Sequence, residues 1–244
     1  MKSMNVCATP LELGEKAATL AAAELNKAIA AQGYARLVLA TGASQFETQA
    51  ALVTKAVDWS KVEVFHLDEY IGMKIDHPAS FRKYIKERFA DKVNVKKVHY
   101  VDGEGDVKQT IAALTAEIRK APIDVALVGI GENAHIAFND PPADFTTTEA
   151  YIVVTLDEKC RNQQWGEGWF DSFDSVPKYA ISMTVSEIMK FKVIISSVPH
   201  KVKAIAVRDT LECDISPNVP ATILKQHPCW HLFLDTHSAS MLRK

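Results

Sequence analysis

ARLVLATGASQFE, residues 35–47, decides the architecture. Its first six residues, ARLVLA, have the length and apolar character of a buried strand. A glycine turn through Thr41, Gly42 and Ala43 follows. Ser44 and Glu47 then have the S-x-x-E spacing of a capping box, opening the helix QFETQAALVTKAV. Strand, tight turn and helix in immediate succession are the unit from which parallel sheets are built.

The same unit recurs on both sides. Upstream, residues 10–32 form an Ala/Leu-rich amphipathic helix closed by Gly33. Downstream, VEVFHL (62–67) reads as a strand, DEYIGMKIDHPA as a loop and SFRKYIKERFA (80–90) as a helix. A helical pattern over 106–121 precedes the run DVALVGI (124–130). Runs of strand character return at 151–156, 179–183, 192–198 and 230–235, with a helix at 201–212. This alternation predicts an α/β protein with a parallel sheet. No repeat or linker interrupts it, so residues 1–244 read as one domain.

Composition narrows the function. Twenty-eight basic residues nearly balance thirty acidic ones and no basic run occurs, which argues against nucleic acid or a membrane as partner. Cys7, Cys160, Cys213 and Cys229 are scattered without a C-x-x-C pair, so neither a zinc site nor a redox motif is expected. No apolar run reaches transmembrane length, and a cytoplasmic location is expected.

The unusual residues share one address. Thr41, Gly42 and Ser44, then Asp68 and Glu69, then His135, then Lys201 and Lys203 each follow the carboxyl end of a predicted strand. Ligands bind at that edge in open α/β sheets. The turn ATGASQ exposes backbone N–H groups suited to a phosphate or carboxylate, or it is an ordinary turn capped by Ser44. No Walker or G-x-G-x-x-G motif accompanies it, so a phosphomonoester fits better than a nucleotide. Asp68 and Glu69 are neighbours in extended chain and point apart; one can face a substrate as a general base and the other is structural. In GIGENAHIAFNDPP (129–142), His135 is either a core histidine or an acid/base held by Asn133 and Asp140. A metal site is the weaker reading, because no second His or Cys stands at ligand spacing.

Together, ATGASQ, FHLDEYIGM with His77 and Ser80-Phe81, and GIGENAHIAFNDPP resemble, in order and spacing, the glucosamine-6-phosphate deaminase/isomerase family, which is related to 6-phosphogluconolactonase. VPKYAISM (176–183), Lys203-Ala204 and VPATILKQHP (219–228) extend the resemblance over nearly the whole chain. The LDEY and HIAFN forms are similar to the deaminase branch.

The resemblance implies a three-layer α/β/α fold with a mostly parallel open sheet, no cofactor and no metal. It implies that a hexosamine 6-phosphate is isomerised and deaminated to a ketose phosphate and ammonia. Asp68 matches the base acting between C2 and C1, and His135 the group that opens the sugar ring. Asp140 matches the supporting glutamate, one methylene shorter. Thr41, Gly42, Ala43 and Ser44 match the phosphate loop, and Lys203, with Lys201 as the other candidate, its lysine.

Three positions depart from the family pattern. Asn133 replaces an acid, Gln45 replaces a proline, and Glu167 or a flanking glycine stands where the lid carries a phosphate-binding arginine. Arg161 is expected to substitute for that arginine, or else to be structural. Residues 157–175 read as a mobile lid. The alternatives are a lactone hydrolase in which His135 activates water, and a non-catalytic sugar-phosphate sensor. A monomer or small homo-oligomer is expected.

Overall fold

The computed structural model describes residues 1–243. Ten strands run β1 (Ser3–Cys7), β2 (Ala35–Leu39), β3 (Val62–His66), β4 (Asp68–Tyr70), β5 (Lys97–His99), β6 (Val125–Leu127), β7 (Tyr151–Thr155), β8 (Tyr179–Met183), β9 (Val193–Val198) and β10 (Trp230–Asp235). Seven helices are α1 (Pro10–Gln32), α2 (Phe46–Leu52), α3 (Phe81–Ile85), α4 (Val107–Ile118), α5 (Glu158–Gly166), α6 (Val185–Ile188) and α7 (Ala204–Glu212). The central sheet has the order β1-β10-β9-β6-β2-β3-β5, with every neighbouring pair parallel.

Strand periodicity builds the three layers. Leu37 and Leu39, Val62 and Val64, Val125 and Leu127, and Val193 and Ile195 point to one face, where Leu13, Leu25, Leu52 and Ile85 of α1–α3 cover them. Val38, Phe65, Ala126 and Ile194 point to the other, against Leu114 of α4, Ile188 of α6 and Val207 of α7. Each fully buried leucine or valine contributes about 1.5–3 kcal/mol. The first of these faces is close-packed: a Cβ on Gly14 of α1 would lie 2.6 Å from the Glu47 backbone of α2.

Several boundaries follow the sequence reading. Helix α1 spans 10–32 and Gly33 closes it at φ 84°; β8 and β10 match their predicted ranges. Other elements differ. β1 and β5 are edge strands with partly exposed residues and little apolar signal. Asp68–Tyr70, read as loop, pairs antiparallel with β8, which in turn pairs with β7, forming a small second sheet β4-β8-β7. Helix α2 begins only at Phe46, after a 3-10 turn over 43–45, and Ser44 makes no capping bond.

Topology then creates the cleft. The chain leaves β2 toward β3 and β5, and returns to place β6 on the opposite side of β2. Loops leaving β2 and β6 therefore diverge to opposite sides, opening a crevice at their carboxyl ends.

Candidate active site

That crevice is a cavity of about 770 Å³, lined by Thr41–Ser44 after β2, Asp68 after β3, Gly131–Asn133 and His135 after β6, and His200 and Lys203 after β9. Four separate strand ends thus supply one site. Of the candidates from sequence, Thr41, Gly42, Ala43, Ser44, Asp68, Asn133, His135 and Lys203 all line it; Asp140 touches His135 from behind.

Gly42 adopts φ 97°, and the Tyr84 hydroxyl donates to its carbonyl at 3.3 Å. Because Ser44 does not cap, its hydroxyl faces the cavity and accepts only from Gln45 Nε2, at 3.1 Å. Gln45 stands in the proline position of the family pattern and ties the turn to β9 by donating to the Ser197 carbonyl. Lys203 is buried; burial pulls its ammonium below its usual range, opposed by Glu167 and Glu132. Lys201 is exposed and does not line the cavity, whereas Lys203 does.

The adjacent carboxylates divide their roles as strand geometry requires. Asp68 lines the cavity, while Glu69 is wholly buried on the other side of β4. The Glu69 carboxylate accepts from the Ser80 hydroxyl and the Arg82 N–H, each at 2.9 Å, and so fastens the start of α3. Burial, then the Glu69 and Asp140 charges, push Asp68 well above the ordinary carboxylate range.

Gly131 explains part of the glycine content of the 129–142 loop: a Cβ there would lie 2.2–2.5 Å from three atoms of the His135 ring. The ring packs flat against bare backbone. His135 Nδ1 lies 3.1 Å from Asp140 Oδ1. The approach is off-axis, making a close polar contact rather than an aligned hydrogen bond. Asn133 does not hold the imidazole itself. Its Oδ1 accepts from the His135 backbone N–H at 3.1 Å, and its Nδ2 donates to Asp140 Oδ1 at 3.0 Å. Burial pushes Asp140 up, but His135, Asn133 and the Asp157 N–H outweigh it and leave the carboxyl below its ordinary value.

Arg161 does not reach the cavity. Its guanidinium donates to the carbonyls of Val176 and Phe173 at 3.0 Å and stacks 4.1 Å over the Phe173 ring. These contacts tie α5 to the turn that follows it. In its place α5 turns Lys159, Asn162, Gln163 and Gln164 toward the cavity, with Glu167 after them. Tyr70 of β4 donates to Gln164 at 2.8 Å, and Phe170 packs edge-on against Tyr70, so half of this segment is anchored rather than loose.

Sequence reasoning gave no role to Glu132, Glu167, Gln164 or His200, all of which line the cavity. Glu167 alone carried a signal, by occupying the expected arginine position. Cys160 was also missed: its thiol lies beside Asp140, and burial raises it well above the usual thiol range.

Comparison with known proteins agrees with this geometry. The sequence model for glucosamine-6-phosphate isomerases/6-phosphogluconolactonase matches residues 8–231. A glucosamine-6-phosphate deaminase of Thermoanaerobacter pseudethanolicus is 35% identical over 239 residues, covering 95% of this chain and 91% of the relative. One from Oenococcus oeni is 32% identical, covering 99% of each. A solved monomeric glucosamine-6-phosphate deaminase superposes with a TM-score of 0.89 at 31% identity, covering 99% of this chain and all of the other. A 6-phosphogluconolactonase from Shewanella baltica shares the fold at a TM-score of 0.79 and 20% identity, covering 96% of this chain and 98% of its own. The chain belongs to the glucosamine-6-phosphate isomerase/6-phosphogluconolactonase family.

Proposed function

We propose that this protein isomerises and deaminates a hexosamine 6-phosphate, glucosamine 6-phosphate being the first candidate, to a ketose phosphate and ammonia. The observation that carries this reading is the convergence in one cavity of a buried carboxylate, Asp68, a carboxylate-backed imidazole, His135, and a phosphate-sized turn with a buried lysine. The names of the relatives support the same substrate class.

A pyranose must open before its aldehyde can enolise, so two acid/base groups are required. His135 protonates the ring oxygen and accepts the anomeric hydroxyl proton. Asp68 then takes the proton from C2 and returns one to C1, while O1 gains a proton and the amine nitrogen loses one, converting the 2-amino aldehyde into a 1-hydroxy C2 imine. Water adds to C2, and the carbinolamine expels ammonia. The raised proton affinity of Asp68 suits a group that must both accept and return a proton near neutrality. Ser44, Lys203 and the Thr41–Ala43 backbone bind the phosphate, whose remote contacts hold the sugar in register. The 157–175 segment acts as a lid, its α5 face closing over the enediol.

The test is detection of ammonia and ketose phosphate from a panel of amino-sugar 6-phosphates, with 6-phosphogluconolactone as comparison. Stoichiometric ammonia and ketose phosphate from at least one amino sugar are expected. Lactone hydrolysis without ammonia from any amino sugar would transfer the assignment to the hydrolase branch.

A further inference from the structure

We propose that His135, Asp140 and Cys160 form an inhibitory site for a borderline-soft divalent cation, zinc being the type, behind the imidazole. One donor atom from each residue lies within 4.8 Å of the other two, and His135 Nδ1 and Asp140 Oδ1 are already 3.1 Å apart. Tetrahedral zinc with N, O and S ligands needs ligand atoms roughly 3.5 Å from one another, which small side-chain shifts supply. A second observation points the same way. His135 is 8% exposed, and its buried Nδ1 makes no aligned hydrogen bond, its close polar neighbour being Asp140 Oδ1, itself one of the three ligand atoms.

The charge and the surroundings fit. A neutral imidazole, a carboxylate and a thiolate together cancel a divalent charge, leaving no net charge in a buried place. Two of the ligands are fixed by one residue: Asp157 caps α5 by accepting from the Cys160 N–H at 2.6 Å, and its own N–H donates to Asp140 Oδ2 at 3.3 Å. Such outer contacts orient metal ligands. An approach exists as well. A groove of about 540 Å³ is lined by Pro141 and Asp157, chain neighbour and hydrogen-bond partner of Asp140, and its walls carry Glu132, Asp157, Glu158 and Asp209 against one lysine, Lys159, a balance that favours cations.

The sequence spacing hid this arrangement because Cys160 comes from α5, far along the chain from the loop that carries His135. Binding releases the Cys160 thiol proton to solvent. The metal then holds the Nδ1 lone pair and Asp140, so the imidazole can no longer cycle between its neutral and protonated forms. Ring opening stops. The inhibition rests on the deaminase reading; the binding does not.

The experiment titrates the metal-free full chain with cobalt(II), then zinc. One equivalent of cobalt should produce tetrahedral visible bands and a thiolate-to-cobalt charge-transfer band, both displaced by zinc. The charge-transfer band should vanish in Cys160→Ser and Cys160→Ala and persist in Cys213→Ser, which removes the exposed thiol. Circular dichroism verifies that each variant is folded. Zinc should inhibit ammonia release by the wild type, with recovery on chelation, and Cys160→Ser should need at least about tenfold more zinc. A wild type without the band, a band that survives in folded Cys160→Ser, or equal inhibition of both proteins would overturn the proposal. A Cys160-dependent band in a protein that releases no ammonia would uphold the site and reject only the activity.

Discussion

Asp68, the base of the proposed reaction, also carries a cost to the fold. Its raised proton affinity means that its stabilising contribution is present below the ordinary carboxylate range and is lost as pH rises through its folded value. Asp68→Asn should therefore unfold at a higher temperature than the wild type above about pH 5, with the advantage shrinking toward pH 3. Turnover should fall about 10²- to 10⁴-fold. Thermal unfolding across pH, beside steady-state kinetics, checks both. An Asn variant no more stable than wild type at pH 8 would mean that Asp68 is not held in a desolvating pocket. This residue was legible because period-two geometry separates it from Glu69 and places one of the pair at a strand end. The role of Arg161 was not legible, since its partners are the Phe173 and Val176 carbonyls, which only the turn after α5 brings within reach.

The turn after β2 and the turn after β9 both line the cavity, and the proposed function places the phosphate between them. Lys203→Ala and Ser44→Ala should raise KM for a phosphorylated substrate about tenfold or more while lowering kcat less; Lys201→Ala, whose side chain is exposed, should change neither. A larger effect at Lys201 would displace the phosphate site. The segment after β7 should respond differently. Arg161→Ala leaves buried carbonyls without their donor, so it should destabilise the protein by about 2–4 kcal/mol and hasten proteolysis within 157–175. If stability is unchanged and only KM rises, Arg161 contacts the substrate after all. Long apolar strands and α1 could be read from sequence because burial on both faces leaves a continuous signal. β1, β4 and β5 could not, because edge strands and a three-residue strand of Asp, Glu and Tyr owe their form to their partners.

The whole molecule turns a change of direction in strand order into a reaction vessel. Because β6 joins the sheet on the far side of β2, a crevice opens at their carboxyl ends; the loops after β2, β3, β6 and β9 line it, and residues far apart in sequence meet in one cavity. The common address of these residues past strand ends was readable in advance. Their exact partners were not: Asn133 bonds to Asp140 rather than to the ring, and Glu167 lines the cavity where an arginine was the expectation. In the proposed reaction, proton transfer between C2 and C1 by Asp68 follows ring opening by His135. Its most direct test is deuterium exchange at C2 of glucosamine 6-phosphate in heavy water, comparing wild type with Asp68→Asn and His135→Ala. Exchange is expected with wild type, none above background with Asp68→Asn, and exchange limited to the rate of spontaneous ring opening with His135→Ala. Exchange that survives intact in folded Asp68→Asn would contradict it.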